Sequence, residues 1–230
     1  MSMCGRYSLV AEDAGQLRWL FHIEPPPNWQ SRYNIAPSQY CPVVRRGEGG
    51  RELVHMRWGL IPSWAKEAKV GFSNINARAE SVATKPAFRA AFKRRRCVVP
   101  ATGFYEWKAV AGQRKKQPYH VQLPAGAMFG FAGLWEHWQD IESFAIVTTD
   151  ATPQLQPIHE RMPVILTSDA IDRWLDADAT REDLQALLQP YPGAMDVYPV
   201  STAVNKPVND APECVQPVSQ TPSLPGLGPP

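Results

Sequence analysis

Four thiols are available to this chain of 230 residues: Cys4, Cys41, Cys97 and Cys214. No two stand at a zinc-type spacing and no C-x-x-C occurs, so the set predicts no metal site. In a reducing compartment all four should stay unpaired. Cys41 and Cys97 fall in apolar, strand-like surroundings that suit inert core residues, and Cys214 falls in a proline-rich stretch. Cys4 has the unusual address. It follows a methionine in MSMCGRYS, close to the amino end, and is the candidate nucleophile.

Three polar residues sit oddly among their neighbours. Glu106 lies in GFYEWK between Tyr105 and Trp107. A carboxyl desolvated among aromatic rings has a raised pKa and suits proton transfer; a strand glutamate facing water is the equal alternative. His159 lies between prolines in PIHERMP. A loop histidine can act as general acid or base, and a surface histidine is the ordinary alternative. Asn76 lies in NINARAE, where its amide could hold an amine or a carbonyl or simply make a turn. Arg78 follows two residues later, on the same side if the stretch is extended, and could grip a phosphate or make a surface ion pair.

Net charge is only +2, from 24 Lys and Arg against 22 Asp and Glu. The basic residues are nevertheless clustered, in KRRRC from Lys93 and in QRKK from Gln113, with Arg6, Arg32, Arg45, Arg46, Arg57, Arg78 and Arg161 dispersed among tryptophans such as Trp58 and Trp64. Arginines for phosphates and aromatic rings for stacking are what single-stranded nucleic acid requires. A solvated basic face and a helix C-terminus favouring cations are the competing readings.

These residues need a scaffold. AEDAGQLRWLFH (11–22) has the helical period and is stopped by EPPPNWQ. SRYNIAPSQY is polar and proline-marked and reads as a loop. CPVVR and ELVHMRW read as strands about a GEGG turn, and CVVPATGFYEWK as strand, turn, strand. KPAFRAAFKRR, SDAIDRWL and TREDLQALLQ read as helices, and PYHVQL, MFGFAGLW, SFAIVTT, PVILT and MDVYPVS as further strands. Strands outnumber helices and are joined mostly by short turns, which predicts an antiparallel-rich α+β domain rather than a doubly wound sheet. A domain over 3–206 is followed by a proline-rich segment, 207–230, with little to bury and an expectation of disorder.

Bulk properties exclude other classes. No apolar run is long enough to span a bilayer, and the first twenty residues lack the apolar core of a signal peptide, so a cytoplasmic protein is expected. No Walker or G-x-G-x-x-G pattern occurs, so neither a nucleotide cofactor nor any other cofactor is expected. Nothing demands an oligomer, and a monomer is expected.

In chain order, MCGRYS, YNIAPS, RWGLIPSWA, INARAES, KPAFRAAFKRRRCVVPATGFYEWK and HERMPVIL strongly resemble the SRAP family, the SOS-response-associated peptidases also described as abasic-site processing proteins. The likeness runs from Met3 to about Asn205. It implies a strand-rich, barrel-like α+β domain with a basic channel for single-stranded DNA, nucleoid-associated when DNA is bound. It also implies covalent capture of abasic sites by a cysteine exposed on methionine removal, here Cys4, with Asn76, Glu106 and His159 as the other active-site positions. Asn34, Trp58, Trp64, Arg78, Arg161 and Arg6 are the implied DNA contacts.

The chemistry accounts for an N-terminal cysteine. Its amine condenses with the aldehyde of an opened abasic sugar, and its thiol closes a thiazolidine. An internal cysteine gives only a reversible hemithioacetal. An α-amine titrates at about 7.7–8.0 and is partly neutral near neutral pH, unlike a lysine at about 10.4. A start at Met1 would leave Ser2 first and Cys4 inside the chain; the resemblance begins at Met3, so Met3 is the initiator, or the leading residues are an engineered or misassigned extension, or they are trimmed by proteolysis, and Met1–Met3 would otherwise obstruct the site. Two alternatives belong to other classes. One is a cysteine-type peptidase acting on its own N-terminal residues, with lyase chemistry from the imine as a side activity of the first reading. The other is a non-covalent single-strand-binding module that needs the arginines and tryptophans but not Cys4.

Overall fold

The computed structural model describes residues 4–10, 15–112 and 114–218. Thirteen strands and four α-helices follow one another along these residues. They are β1 (Tyr7–Leu9), α1 (Gly15–Phe21), β2 (Arg32–Ile35), β3 (Tyr40–Gly47), β4 (Gly50–Trp58), β5 (Asn76–Arg78), α2 (Arg89–Arg94), β6 (Arg96–Ala101), β7 (Gly103–Lys108), β8 (Gln117–Gln122), β9 (Phe129–Trp138), β10 (Ile141–Asp150), β11 (Arg161–Pro163), β12 (Ile165–Leu166), α3 (Ser168–Leu175), α4 (Arg181–Ala186) and β13 (Asp196–Pro199).

Five of the strands close a barrel in the order β10-β4-β3-β6-β9 and back to β10. The β4–β10 pair is parallel and the other four pairs are antiparallel. Closure leaves no open edge among the five. Gly50 turns the β3–β4 hairpin at φ 132°, a backbone conformation that side chains disfavour. At Gly130 a Cβ would lie 2.2 Å from a Val98 methyl, so β9 approaches β6 only because that position is bare.

A second sheet, in the order β13-β8-β7-β1-β2, is antiparallel throughout and lies against the barrel. The seam is aromatic: Tyr7 meets Trp58 edge-on at 5.3 Å, and Phe104 meets Phe131 at 6.1 Å. The helices are peripheral. Trp174 of α3 is fully buried against Phe92 of α2 and donates its indole N–H to the Cys97 carbonyl at 2.9 Å. This is the strand-rich α+β architecture expected.

Three expectations change. SRYNIAPSQY contains a strand, β2, because it pairs with β1 and because Asp210 accepts the Tyr33 and Asn34 amides at 2.5 and 2.9 Å. Disorder from 207 onward is corrected for residues 207–218. This stretch forms a 3₁₀ turn at Pro212–Cys214, a bridge from Pro217 to Val200, and an ion pair from Asp210 to Arg32. Polar partners distant in sequence order it where composition shows little to bury; the rest of the tail, 219–230, lies outside the described residues. The KRRR run is also divided. Arg96 is buried and donates to the carbonyls of Phe92, Lys93, Trp174 and Asp176, which caps two helix ends, while Arg95 pairs with Glu136.

Candidate functional site

The two sheets bring two side chains, Glu106 and Asn76, onto the backbone of Cys4. In the β1–β7 pairing Ser8 faces Gly103 and Tyr7 faces Phe104, a register that carries Glu106 alongside the residues preceding β1. There the Cys4 backbone N–H donates to Glu106 Oε1 at 2.8 Å. From the barrel side, β5 runs parallel to β10 with Asn76 level with Ile146, and the Asn76 amide donates to the Cys4 carbonyl at 3.4 Å. Trp58 supports this arm by donating its indole N–H to the carbonyl of Ile75 at 2.9 Å. Cys4 adopts φ 34°, in the left-handed region that non-glycine residues rarely occupy. A strained residue held on both sides by hydrogen bonds makes this the candidate site.

Electrostatics follow from burial. Glu106 is 4% exposed, and desolvation raises its pKa to about 8 against the opposing pull of the Cys4 N–H and the Lys116 charge. Burial and the Glu106 charge also push the Cys4 thiol well above its ordinary range. Burial therefore favours the protonated carboxyl near neutral pH and the thiol over the thiolate.

His159 lies in the loop between β10 and β11. Its Nδ1 accepts the Arg161 backbone N–H at 3.1 Å, so in the neutral ring the proton sits on Nε2. Burial lowers its pKa. The Lys116 charge, half-buried at the entry to β8, acts on both Glu106 and His159, so the two share one electrostatic neighbourhood.

The six positions expected to contact DNA separate. Trp64 is 64% exposed and Arg78 is exposed. Trp58 is fully buried, stacked on Phe144 and edge-on to Tyr7, and offers no face to a base. Asn34 is fully buried too; its amide donates to the carbonyls of Val204, Lys206 and Asn209 and its oxygen accepts from Arg6 at 2.7 Å. Arg6 also reaches the Val204 carbonyl at 2.6 Å and lies over the Trp107 ring at 6.0 Å. Arg161 is 7% exposed and held by Glu80, Asp150 and the Thr148 carbonyl. For Trp58 and Asn34 the surface role gives way to a framework role. A chain pattern shows residue type and spacing but not which polar atoms find buried partners.

Sequence reasoning missed Glu80 and Phe72. Glu80 stands two residues after Arg78, and that same-side spacing was its available signal. Phe72 is 63% exposed with the Arg57 guanidinium over its ring at 5.2 Å, and nothing local distinguished it. Met1–Met3, expected to obstruct the site, lie outside the described residues. No helix among the described residues is long and apolar enough to cross a membrane.

Comparison with known proteins identifies relatives over nearly the whole chain. A family model described as SOS response associated peptidase (SRAP) matches residues 3–207. Abasic site processing protein YoqW of Bacillus subtilis is 40% identical over 224 residues, covering 93% of this chain and 99% of the relative. Abasic site processing protein HMCES of Mus musculus is 31% identical over 270 residues, covering 94% and 76%. A crystal structure of a Bacteroides thetaiotaomicron protein superposes with a TM-score of 0.78 at 26% identity, covering 95% of this chain and 98% of that one.

Proposed function

This chain belongs to the SOS response associated peptidase (SRAP) family, and from that premise we propose that it processes abasic sites in single-stranded DNA by covalent capture through Cys4. The observation that carries this reading is the Cys4 nitrogen 2.8 Å from Glu106, with Asn76 on the adjoining carbonyl.

In the proposed reaction the nitrogen of Cys4 is a free α-amine. It adds to the aldehyde of the opened sugar, and water leaves to give an imine. The thiol then adds to the imine carbon, its proton passes to nitrogen, and a thiazolidine closes. Ring closure within one residue has a high effective molarity. Burial raises the Glu106 carboxyl while an adjoining terminal ammonium would pull it back down, so the 2.8 Å contact makes Glu106 the group that relays protons to and from the nitrogen. Asn76 holds the Cys4 carbonyl and so sets the direction of the amine. The Nε2–H of His159 donates to the sugar oxygen during ring opening. The imine acidifies the neighbouring sugar carbon, which makes β-elimination a side reaction.

The decisive experiment compares chains beginning at Met1 and at Cys4 on an abasic oligonucleotide resolved in a denaturing gel. Capture is expected from the Cys4-first chain and not from a Met1 chain whose intact mass shows that it keeps its first three residues. Equal capture by both such chains, or by neither, rejects the terminal amine as the reactive group.

One observation favours self-processing as a second activity. Glu106 touches the nitrogen of the Met3–Cys4 peptide bond. Protonated at neutral pH, it is placed to protonate that nitrogen as water cleaves the bond. Loss of the first three residues from the Met1 chain, followed by mass and abolished by Glu106→Gln, is the expected result; an unchanged mass rejects it.

A further inference from the structure

The outer face of the β3–β4 hairpin carries a row of rings and cations that meets Phe72, on the segment leading into β5 and Asn76. It begins at Phe72, four residues before Asn76, under the Arg57 guanidinium. Arg57 pairs across the strands with Tyr40, and Pro42 with His55, so all four point to one face. Tyr40 is 54% exposed and His55 is exposed. Beyond them a groove of about 410 Å³ opens between Trp29, Tyr40 and His55, closed at its sides by Pro26 and Pro42.

The lining of this groove is selective. It contains aromatic rings, the donors Asn28, Gln30, Arg32 and His55, and no carboxylate. The similarly sized cavity at the other end of the hairpin, by contrast, carries Glu48, Asp172 and Asp176 interleaved with Arg46, Arg51 and Arg173, and no aromatic ring. Arg32 is already paired with Asp210, so the cation left at the approach is Arg57, and flat faces beside it suit a nucleobase on a phosphate backbone.

We propose that this groove seats a base of the strand flanking the captured abasic nucleotide, stacked against Tyr40 and His55. The proposal rests on the capture reading for the position of the lesion, and it adds a polarity: the row runs from the site in one direction, so the strand on one side of the lesion, 5′ or 3′, reaches it. Tyr40 and His55 bind the flank and take no part in the chemistry.

The test uses the chain from Cys4 to Pro230 and its Tyr40→Ala and His55→Ala variants, with three abasic oligonucleotides: a trimer with the lesion central, one extended only 5′, and one extended only 3′. In the parent protein one extension should lower the concentration for half-maximal capture about fivefold or more, in keeping with stacking of a single base. Tyr40→Ala should abolish that gain and leave trimer capture and melting temperature unchanged. An undiminished gain in Tyr40→Ala, equal loss on both extensions, or equal loss on the trimer overturns the proposal. If no oligonucleotide is captured, the chemical reading has failed separately. Anisotropy with undamaged extended strands still decides the groove, because Tyr40→Ala must weaken binding about fivefold and unaltered affinity overturns it.

Discussion

Glu106 accepts the backbone N–H of Cys4 at 2.8 Å, across 102 residues of sequence. A buried carboxyl is thereby held against the nitrogen on which all the proposed chemistry turns. Its burial sets its protonation state, and the β1–β7 register sets its position.

Glu106→Gln should keep the shape and the acceptor oxygen but cannot carry a proton. Cross-linking to an abasic oligonucleotide should slow by about 10²-fold or more, while affinity for undamaged single strands is unaltered. Gel time courses and anisotropy measure the two separately. Parental kinetics would reject the relay role.

The same carboxyl should impose a pH dependence on stability. Its folded pKa of about 8 lies above the ordinary value of 4.5. Between these values the unfolded chain releases the proton and the folded chain retains it. Stability therefore falls as pH rises through that window, by up to roughly 1.4 kcal/mol per unit from this group. Urea midpoints from pH 5 to pH 8 should fall more steeply for the parent than for Glu106→Gln. Parallel curves would show that burial is not what sets this group.

His159 should matter for rate and not for binding. His159→Ala should slow capture by about 10²-fold with unchanged single-strand affinity. In the parent protein the rate should decline on the acid side as His159 gains its second proton, because a protonated Nδ1 would face the Arg161 N–H it now accepts. An acid limb of the same shape in His159→Ala would assign that limb to another group.

Asn34 should behave as a framework residue. Asn34→Ala removes the donor to three carbonyls of the 204–209 segment and the acceptor for Arg6. A loss of about 2–4 kcal/mol is expected from denaturant unfolding. Truncation after Lys206 should destabilise comparably by deleting Asp210, whereas truncation after Val218 should not. A stable chain ending at Lys206 would show that the ordered segment is dispensable.

Local pattern reached a long way into this protein. Alternation and turn residues marked the β3–β4 hairpin, β6 to β10 and the helices at 168 and 181, because a strand or helix needs only a short periodic stretch and its punctuation. The motifs around Cys4, Asn76, Glu106 and His159 likewise pointed to the family, since residue types and neighbours are local facts. Pairing across the fold decided the rest. Trp58 lies inside the aromatic seam, Asn34 holds a segment 170 to 175 residues away, Asp210 makes a strand of the stretch at 32–35, and two carboxylates engage Arg161. Whether a polar or aromatic side chain faces solvent depends on which distant groups can satisfy or cover it, and that is a property of the closed barrel and its second sheet, absent from any short run of residues.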